Sequence, residues 1–161
     1  LLNLQGIRKP SFFAYRFLHM LGDDELVCED EDTVVCRNRE DYQILTWNPS
    51  YRQNEENILY YGRDIPPEEQ EERTLCLENI RCGSYRVSIY SVGYQKNDAY
   101  TAFLKMPRKE SLSRAEVEAL KSVSDGSPEK VFTVQIEDGR FVYNAVLHDN
   151  DVMLITLEYQ Q

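Results

Sequence analysis

The sequence lacks the features that would place it in a membrane or on a nucleic acid. None of its apolar runs approaches the ~20 residues that a membrane-spanning helix needs. Its 18 Lys and Arg residues stand against 28 Asp and Glu residues, a formal net charge of −10, whereas nucleic acids and anionic membranes select basic surfaces. No basic segment precedes an apolar one at the start of the chain, so no signal peptide is predicted. We therefore expect neither a membrane nor a nucleic acid as a partner.

Residues for metal or redox chemistry are also scarce. The four cysteines, at positions 28, 36, 76 and 82, form no C-x-x-C pair, and the two histidines stand alone. The sequence therefore predicts no metal site and no cofactor. A disulfide between Cys28 and Cys36 across a hairpin is one alternative. The favoured alternative is that all four thiols are reduced. Reduced thiols are typical of cytoplasmic proteins, so the cytoplasm is the slightly favoured compartment.

No catalytic motif is present. The sequence has no G-x-S-x-G, no glycine-rich phosphate loop and no H-E-x-x-H. Its carboxylates concentrate in charged runs such as CEDEDT and PEEQEER. A glycosidase instead needs two carboxyl groups ~5–10 Å apart, one of them in a pocket that raises its pKa. We predict no catalytic residue within this chain.

Two helices are predicted. In PSFFAYRFLHMLG, Pro10 suits a first turn and Gly22 suits a helix end. The apolar face of this helix is unusually broad and includes Phe13, Ala14, Phe17, Leu18, Met20 and Leu21. Each large apolar side chain left in water forfeits ~1.5–3 kcal/mol, so we expect the helix to be covered on more than one side. The second is a surface helix that Ser113 and Glu116 begin with a capping box.

The rest of the chain reads as short alternating strands: ELVCE, TVVCR, YQILTWN, NILYYG, TLCLEN, YRVSIYSVG, KVFTVQI, RFVYNAVL and DVMLITLEY. Eight or nine such strands with frequent turns predict a mainly β fold, an antiparallel β-sandwich. Asp138-Gly139 predicts a tight hairpin turn. A switch in the alternation of apolar residues predicts a β-bulge near 88–91.

Three aromatic residues are candidates for contact with sugar rings: Trp47, Tyr51 and Tyr94. The competing interpretation is packing in the core or at an interface. Trp47 lies within a strand pattern, which favours packing. Tyr51 follows Pro49 and Ser50 in a predicted loop, and both interpretations stay open there.

Several segments together resemble the C-terminal part of glycoside hydrolase family 39, the β-xylosidase family. LLNLQGIRKPSFFAYRFLHMLG is similar to the end of that family's barrel, with an N-x-x-G-I-x-K-P motif and an aromatic-rich helix. GSYRVSIYSVGYQKNDAYTAFLKM resembles a segment that ends in Asn-x-x-Tyr, here Asn97 and Tyr100. SLSRAEVEALKSVSDG and NDVMLITLEY resemble the helix that follows and the closing strand. The order and spacing of these segments hold along nearly the whole chain.

The resemblance implies that residues 1–22 are the terminal strand and helix of a truncated (β/α)₈ barrel and that residues 23–161 form a β-sandwich accessory domain. The family's acid/base glutamate lies in an Asn-Glu-Pro motif, and its nucleophile is a second barrel glutamate. Neither is present here, since Asn48-Pro49 has no glutamate between them. The expected function is therefore a non-catalytic sandwich of a β-xylosidase-like enzyme, whose barrel hydrolyses O-glycosyl bonds in xylo-oligosaccharides.

The same resemblance implies that the barrel is the main partner and that a xylo-oligosaccharide is a second one. The candidates for the domain interface lie in the first helix and in the segment 97–106: Phe13, Phe17, Leu18, Leu21, Asn97, Tyr100 and Phe103. A truncated chain with an uncovered apolar helix is also expected to self-associate. Two alternative functions stay open, an independent carbohydrate-binding module and the same region of a helix-turn-helix transcription regulator with a xylosidase-like domain.

Overall fold

The computed structural model describes residues 1–49, 62–107 and 111–161. The helices are α1 (Pro10–His19), α2 (Ala99–Leu104) and α3 (Arg114–Ser122). The strands are β1 (Asp24–Leu26), β2 (Thr33–Asn38), β3 (Asp41–Trp47), β4 (Gln70–Leu77), β5 (Gly83–Val92), β6 (Lys130–Ile136), β7 (Phe141–His148) and β8 (Val152–Gln160). The predicted strand NILYYG lies outside the described residues except for its last glycine.

The described strands form two antiparallel sheets that face each other. The larger sheet has the order β1-β2-β3-β8-β5-β6, and the smaller one pairs β4 with β7. Alternate side chains of the larger sheet point towards the smaller one and form the main hydrophobic core, in which Tyr85, Val87, Ile155 and Leu157 are wholly buried. The predicted mainly β fold and antiparallel β-sandwich are confirmed.

The prediction of a hairpin at Asp138-Gly139 is wrong. β6 pairs with β5 in the larger sheet, and β7 pairs with β4 in the smaller sheet. The turn therefore carries the chain from one layer of the sandwich to the other. Gly139 has a φ of 71°, and the N–H of Arg140 donates to Asp138 Oδ1 at 3.1 Å. The chain therefore does bend at this pair, but the local geometry does not decide which strands pair.

The predicted bulge in β5 is also wrong. β5 pairs with β8 without interruption from Ser84 opposite Gln160 to Val92 opposite Val152. Side chains of both parities are buried near the end of β5 because both faces of the sheet are covered there. The core lies on one side, and α1 lies on the other. When residues on both faces of a strand are buried, the sequence shows the same apolar pattern as a strand in which the alternation shifts by one residue.

Helix α1 lies on the outer face of the larger sheet. Pro10 is its first residue, as predicted, and Lys9 precedes it as the N-cap. Phe13 and Phe17 are wholly buried against Leu45, Val92 and Leu154 of three neighbouring strands. This cluster forms a second core, separate from the one inside the sandwich.

Gly22, predicted to stop α1, has a different role. The helix ends at His19, and Met20 is its C-cap. A Cβ on Gly22 would lie 2.5 Å from the carbonyl atoms of Arg37. The glycine therefore allows the chain to pass close to the backbone of β2.

Helices α2 and α3 form a small third cluster with the N-terminal segment. Its buried members are Ile7, Ala99 and Leu120. Asp98 caps α2 by accepting hydrogen bonds from the backbone N–H groups of Tyr100 and Thr101. Ser113 and Glu116 form the predicted capping box of α3.

The four cysteines are free thiols. Cys36 lies opposite Glu25 in the β1–β2 ladder, so Cys28 is not its cross-strand neighbour. Burial raises the pKa of the Cys36 thiol. Among the described residues, no helix is long and apolar enough to cross a membrane.

Candidate functional site

The segment before α1 is a tightly hydrogen-bonded loop. Asn3 Oδ1 accepts hydrogen bonds from the backbone N–H groups of Gln5, at 3.0 Å, and Ile7, at 2.8 Å. Gly6 has a φ of 76°, which favours glycine. Arg8 donates to the carbonyl oxygen of Asp125 at 2.6 Å and lies over the ring of Phe12. The motif residues of this segment thus fix the loop and the start of the helix.

An open groove of about 320 Å³ separates this loop from α2 and α3. Its floor includes Ile7, Ala99 and Leu120, which are buried. Tyr100 and Phe103 of α2 also line the groove and are 44% and 43% exposed. We call this feature the α2 groove.

The two aromatic rings of the α2 groove form a stacked pair. Their centroids are 6.5 Å apart, and their planes differ by 30°. Tyr100 and Phe103 are three residues apart in a helix and therefore share one face. They present adjacent apolar rings to the open side of the groove.

The turn between β5 and α2 is held by Asn97. This residue has a φ of 49°. Its Nδ2 donates to the carbonyl oxygen of Ser91 at 2.8 Å, and its Oδ1 accepts from the N–H of Gly126 at 2.9 Å. Asn97 thus connects the end of β5 with the loop after α3, and its side chain is engaged inside the chain.

Asp151 fixes the same turn from the other side. It is 1% exposed and lies between β7 and β8. Its Oδ2 accepts hydrogen bonds from Lys96 Nζ, at 3.0 Å, and from the N–H of His148, at 3.1 Å. A Cβ on Gly93 would lie only 1.7 Å from Oδ1. Through these two hydrogen bonds, Asp151 links the turn after β5 to the turn between β7 and β8.

Charged side chains also close the sandwich beside β4. Arg73 pairs with Glu71 at 2.7 Å and with Asp30 at 3.3 Å, and it donates to Thr46 Oγ1 at 2.9 Å. Burial alone would raise the pKa of Asp30. Hydrogen bonds from Asp32 and Thr33 and the charge of Arg73 outweigh burial and lower this pKa. The cluster is an ion-pair network with a cation at its centre, which makes it unsuitable as a cation site.

Of the three sugar-contact candidates, the structure describes Trp47 and Tyr94. Trp47 is half-buried beside the α1 cluster, as the packing interpretation requires. Tyr94 donates its hydroxyl proton to Asp64 Oδ1 at 2.9 Å. Burial, followed by this hydrogen bond, raises the pKa of Tyr94. Tyr51 lies outside the described residues, and the role of all three in sugar contact stays a prediction.

The interface candidates separate into two groups. Phe13 and Phe17 are wholly buried by the larger sheet, and Leu21 is half-buried beside them, so Phe13 and Phe17 have no surface left for a contact outside the chain. Leu18 is 54% exposed on the opposite side of α1. Tyr100 and Phe103 line the α2 groove.

Five apolar residues of the N-terminal region are exposed: Leu1, Leu2, Leu4, Tyr15 and Leu18. Exposed apolar side chains that lie together on a soluble domain commonly mark an interface. We call these five residues the N-terminal apolar surface.

Sequence reasoning missed the polar members of the α2 groove and the role of Asp151. Gln5 and Lys9 lie in the motif N-x-x-G-I-x-K-P, and they line the groove. The motif identified this segment of the chain, but it did not indicate that the segment would line a groove. No local signal distinguishes Asp151 from its exposed neighbours, because tertiary contacts bury it. Within the described ranges, no group of three or more His, Cys, Asp or Glu side chains is arranged to hold a metal ion.

Comparison with solved structures gives close matches. The GH39 enzyme from Xanthomonas axonopodis pv. citri matches with a TM-score of 0.94 and 25% identity, over 99% of this chain and 32% of that chain. The monomeric β-xylosidase from Caulobacter crescentus CB15 matches with a TM-score of 0.94 and 29% identity, over 100% of this chain and 33% of that chain. The resemblance to glycoside hydrolase family 39 is confirmed. This chain spans about a third of the length of each of these two enzymes.

A more distant match concerns the fold alone. The bacterial orthologue of human α-L-iduronidase matches with a TM-score of 0.68 and 12% identity, over 96% of this chain and 28% of that chain. No protein-family model and no curated protein matches the sequence. Comparison of the structures therefore supports the family resemblance that the sequence motifs indicated.

Proposed function

We propose that this chain is the C-terminal part of a family 39 glycoside hydrolase of the β-xylosidase type. Residues 1–22 complete a (β/α)₈ barrel in this proposal, and residues 23–161 form a non-catalytic sandwich that supports the barrel. The barrel itself supplies the two glutamates of the retaining reaction. The observation that carries the proposal is the match of the whole chain to about a third of two family 39 enzymes.

The position of α1 supports a bracing role for the sandwich. One side of the helix is fixed on the larger sheet by Phe13 and Phe17, and the opposite side carries the exposed Tyr15 and Leu18. A barrel helix fixed in this way would hold the last part of the barrel in place from outside. We expect the N-terminal apolar surface to contact the rest of the barrel in the full-length protein and to drive self-association when the barrel is absent.

Activity assays with an aryl β-xyloside test the catalytic part of the proposal. We expect no turnover by the 161-residue chain and measurable turnover by a protein that also contains the preceding barrel. Turnover by the 161-residue chain would contradict the non-catalytic role. A basic helix-turn-helix region upstream, with no pair of barrel glutamates, would instead favour the regulator.

The bracing role has its own test. Leu18→Asp should lower the Tm of the barrel-containing protein by about 1 °C per kcal/mol of lost contact, because the entropy of unfolding grows with chain length. It should change the Tm of the 161-residue chain much less. Val27→Asp is the matched control, since Val27 is an exposed apolar residue outside the N-terminal apolar surface. Equal effects of the two variants in the longer protein would contradict the proposed contact.

A further inference from the structure

We infer that the α2 groove is a sugar-binding subsite for the part of an oligosaccharide that extends beyond the barrel's catalytic centre. This inference rests on the proposed function, because it uses the place of α1 in a barrel. It assigns Tyr100 and Phe103 to contact with the ligand. It differs from the sequence-based candidates, which placed sugar contact at Trp47, Tyr51 and Tyr94.

The first argument is position. Active sites of (β/α)₈ barrels lie at the face where each strand connects to its following helix. If α1 is the last barrel helix, then the loop 3–9 just before Pro10 is the last strand-to-helix connection and lies at that face. This loop forms one wall of the α2 groove. The α2 groove therefore borders the face that would carry the substrate cleft.

The second argument is chemistry. Small-molecule sites are concave, mostly apolar and equipped with a few polar groups that fix orientation, with volumes from about 300 Å³ upwards. The α2 groove has about 320 Å³, an apolar floor and two half-exposed rings. Aromatic faces carry partial negative charge and suit the C–H faces of sugar rings. Gln5 and Lys9 at the rim are exposed and supply polar groups for sugar hydroxyls.

The third argument is preorganisation. Asp98 caps α2, Asn97 connects the preceding turn to β5 and to Gly126, and the Lys96–Asp151 ion pair holds that turn against the sandwich. The backbone that presents Tyr100 and Phe103 is therefore fixed before a ligand arrives. Fixing this backbone in advance lowers the entropy cost of binding.

Titration of xylotetraose into the 161-residue chain, followed by NMR of the aromatic side chains, tests the inference directly. We expect saturable shifts of the Tyr100 and Phe103 rings with a millimolar Kd. Tyr100→Ala and Phe103→Ala should each weaken binding by about threefold to tenfold. Tyr15→Ala is the matched control, since Tyr15 is an exposed helical aromatic residue outside the groove. Absence of shifts at tens of millimolar sugar, or equal weakening by Tyr15→Ala, would overturn the inference.

Kinetics of the barrel-containing protein separate this inference from the proposed function. We expect Tyr100→Ala to raise the KM for xylotetraose relative to the KM for an aryl β-xyloside. An active protein whose KM ratio does not change would overturn the groove assignment and leave the proposed function intact. If Tyr100→Ala instead lowers the Tm and reduces activity equally on both substrates, the groove binds a segment of the barrel and not a sugar, and the inference is overturned. A wild-type protein without xylosidase activity would refute the proposed function, while the titration would still report on the groove.

Discussion

In the described part of the chain, the inner face of the larger sheet packs against the two strands of the smaller sheet, whereas its outer face packs against the ten-residue helix α1. On the inner face, strands meet strands, and alternation along each strand supplies the apolar side chains. On the outer face, Phe13 and Phe17 meet Leu45, Val92 and Leu154 across a helix-to-sheet contact. The two faces therefore differ in the kind of element that covers them, strands on the inner face and a helix on the outer face.

This difference explains which strands depart from simple alternation. Leu154 and Ile155 are neighbours in β8, point to opposite faces and are both wholly buried. A strand covered on both faces reads as a continuous apolar run. The apolar residues of the central strands therefore reflect packing against α1 as well as packing in the sandwich core.

The largest effect is expected from removing the helix contact. Phe17→Ala should destabilise the 161-residue chain by about 3–5 kcal/mol, because it leaves a cavity between α1 and the sheet. Leu18→Ala, the next residue on the exposed side, should cost no more than about 0.5 kcal/mol. Urea unfolding at equilibrium measures both. Similar small values for the two variants would show that α1 is only loosely attached to the sheet.

A pair of substitutions in β8 compares the two faces directly. Leu154→Ala on the outer face and Ile155→Ala on the inner face should each cost about 2–5 kcal/mol. Both variants should unfold in a single transition if the two cores form one cooperative unit. If Leu154→Ala lowers the free energy of unfolding only slightly and Ile155→Ala lowers it strongly, the outer face does not belong to the cooperative core. Thermal and urea unfolding with two optical probes makes this comparison.

The smallest effect concerns pH at the Arg73 cluster. The folded-state pKa of Asp30 is lowered from 3.8, so its contribution to stability is present above about pH 4 and is lost as the pH falls through the lower folded value. Asp30→Asn should therefore destabilise the chain at pH 7, and its difference from the wild type should shrink below about pH 4. Urea unfolding across this pH range tests the sign, with Glu31→Gln as the control. A difference that grows on acidification would contradict the assignment.

Sequence patterns predicted the individual elements well, and tertiary contacts decided how the elements combine. The capping box at Ser113 and the proline at the start of α1 act within one turn of helix, so they could be identified locally. The bend at Asp138-Gly139 was also local, but the strands on either side of it pair with β5 and β4, which lie elsewhere in the sequence. The α2 groove joins residues near position 5 to residues near position 100, and no spacing rule connects such distant positions.

The sequence by itself determined the β-sandwich, the two main helices and the absence of a recognisable catalytic motif, because alternation, caps and turns act over a few residues. The motifs also indicated the family, although weakly. Only the tertiary structure decided that α1 lies on the outer face of the sheet, that Asp151 is buried and that Tyr100 and Phe103 line a groove. These features depend on which distant surfaces meet, and that choice is made by the packing of the whole chain.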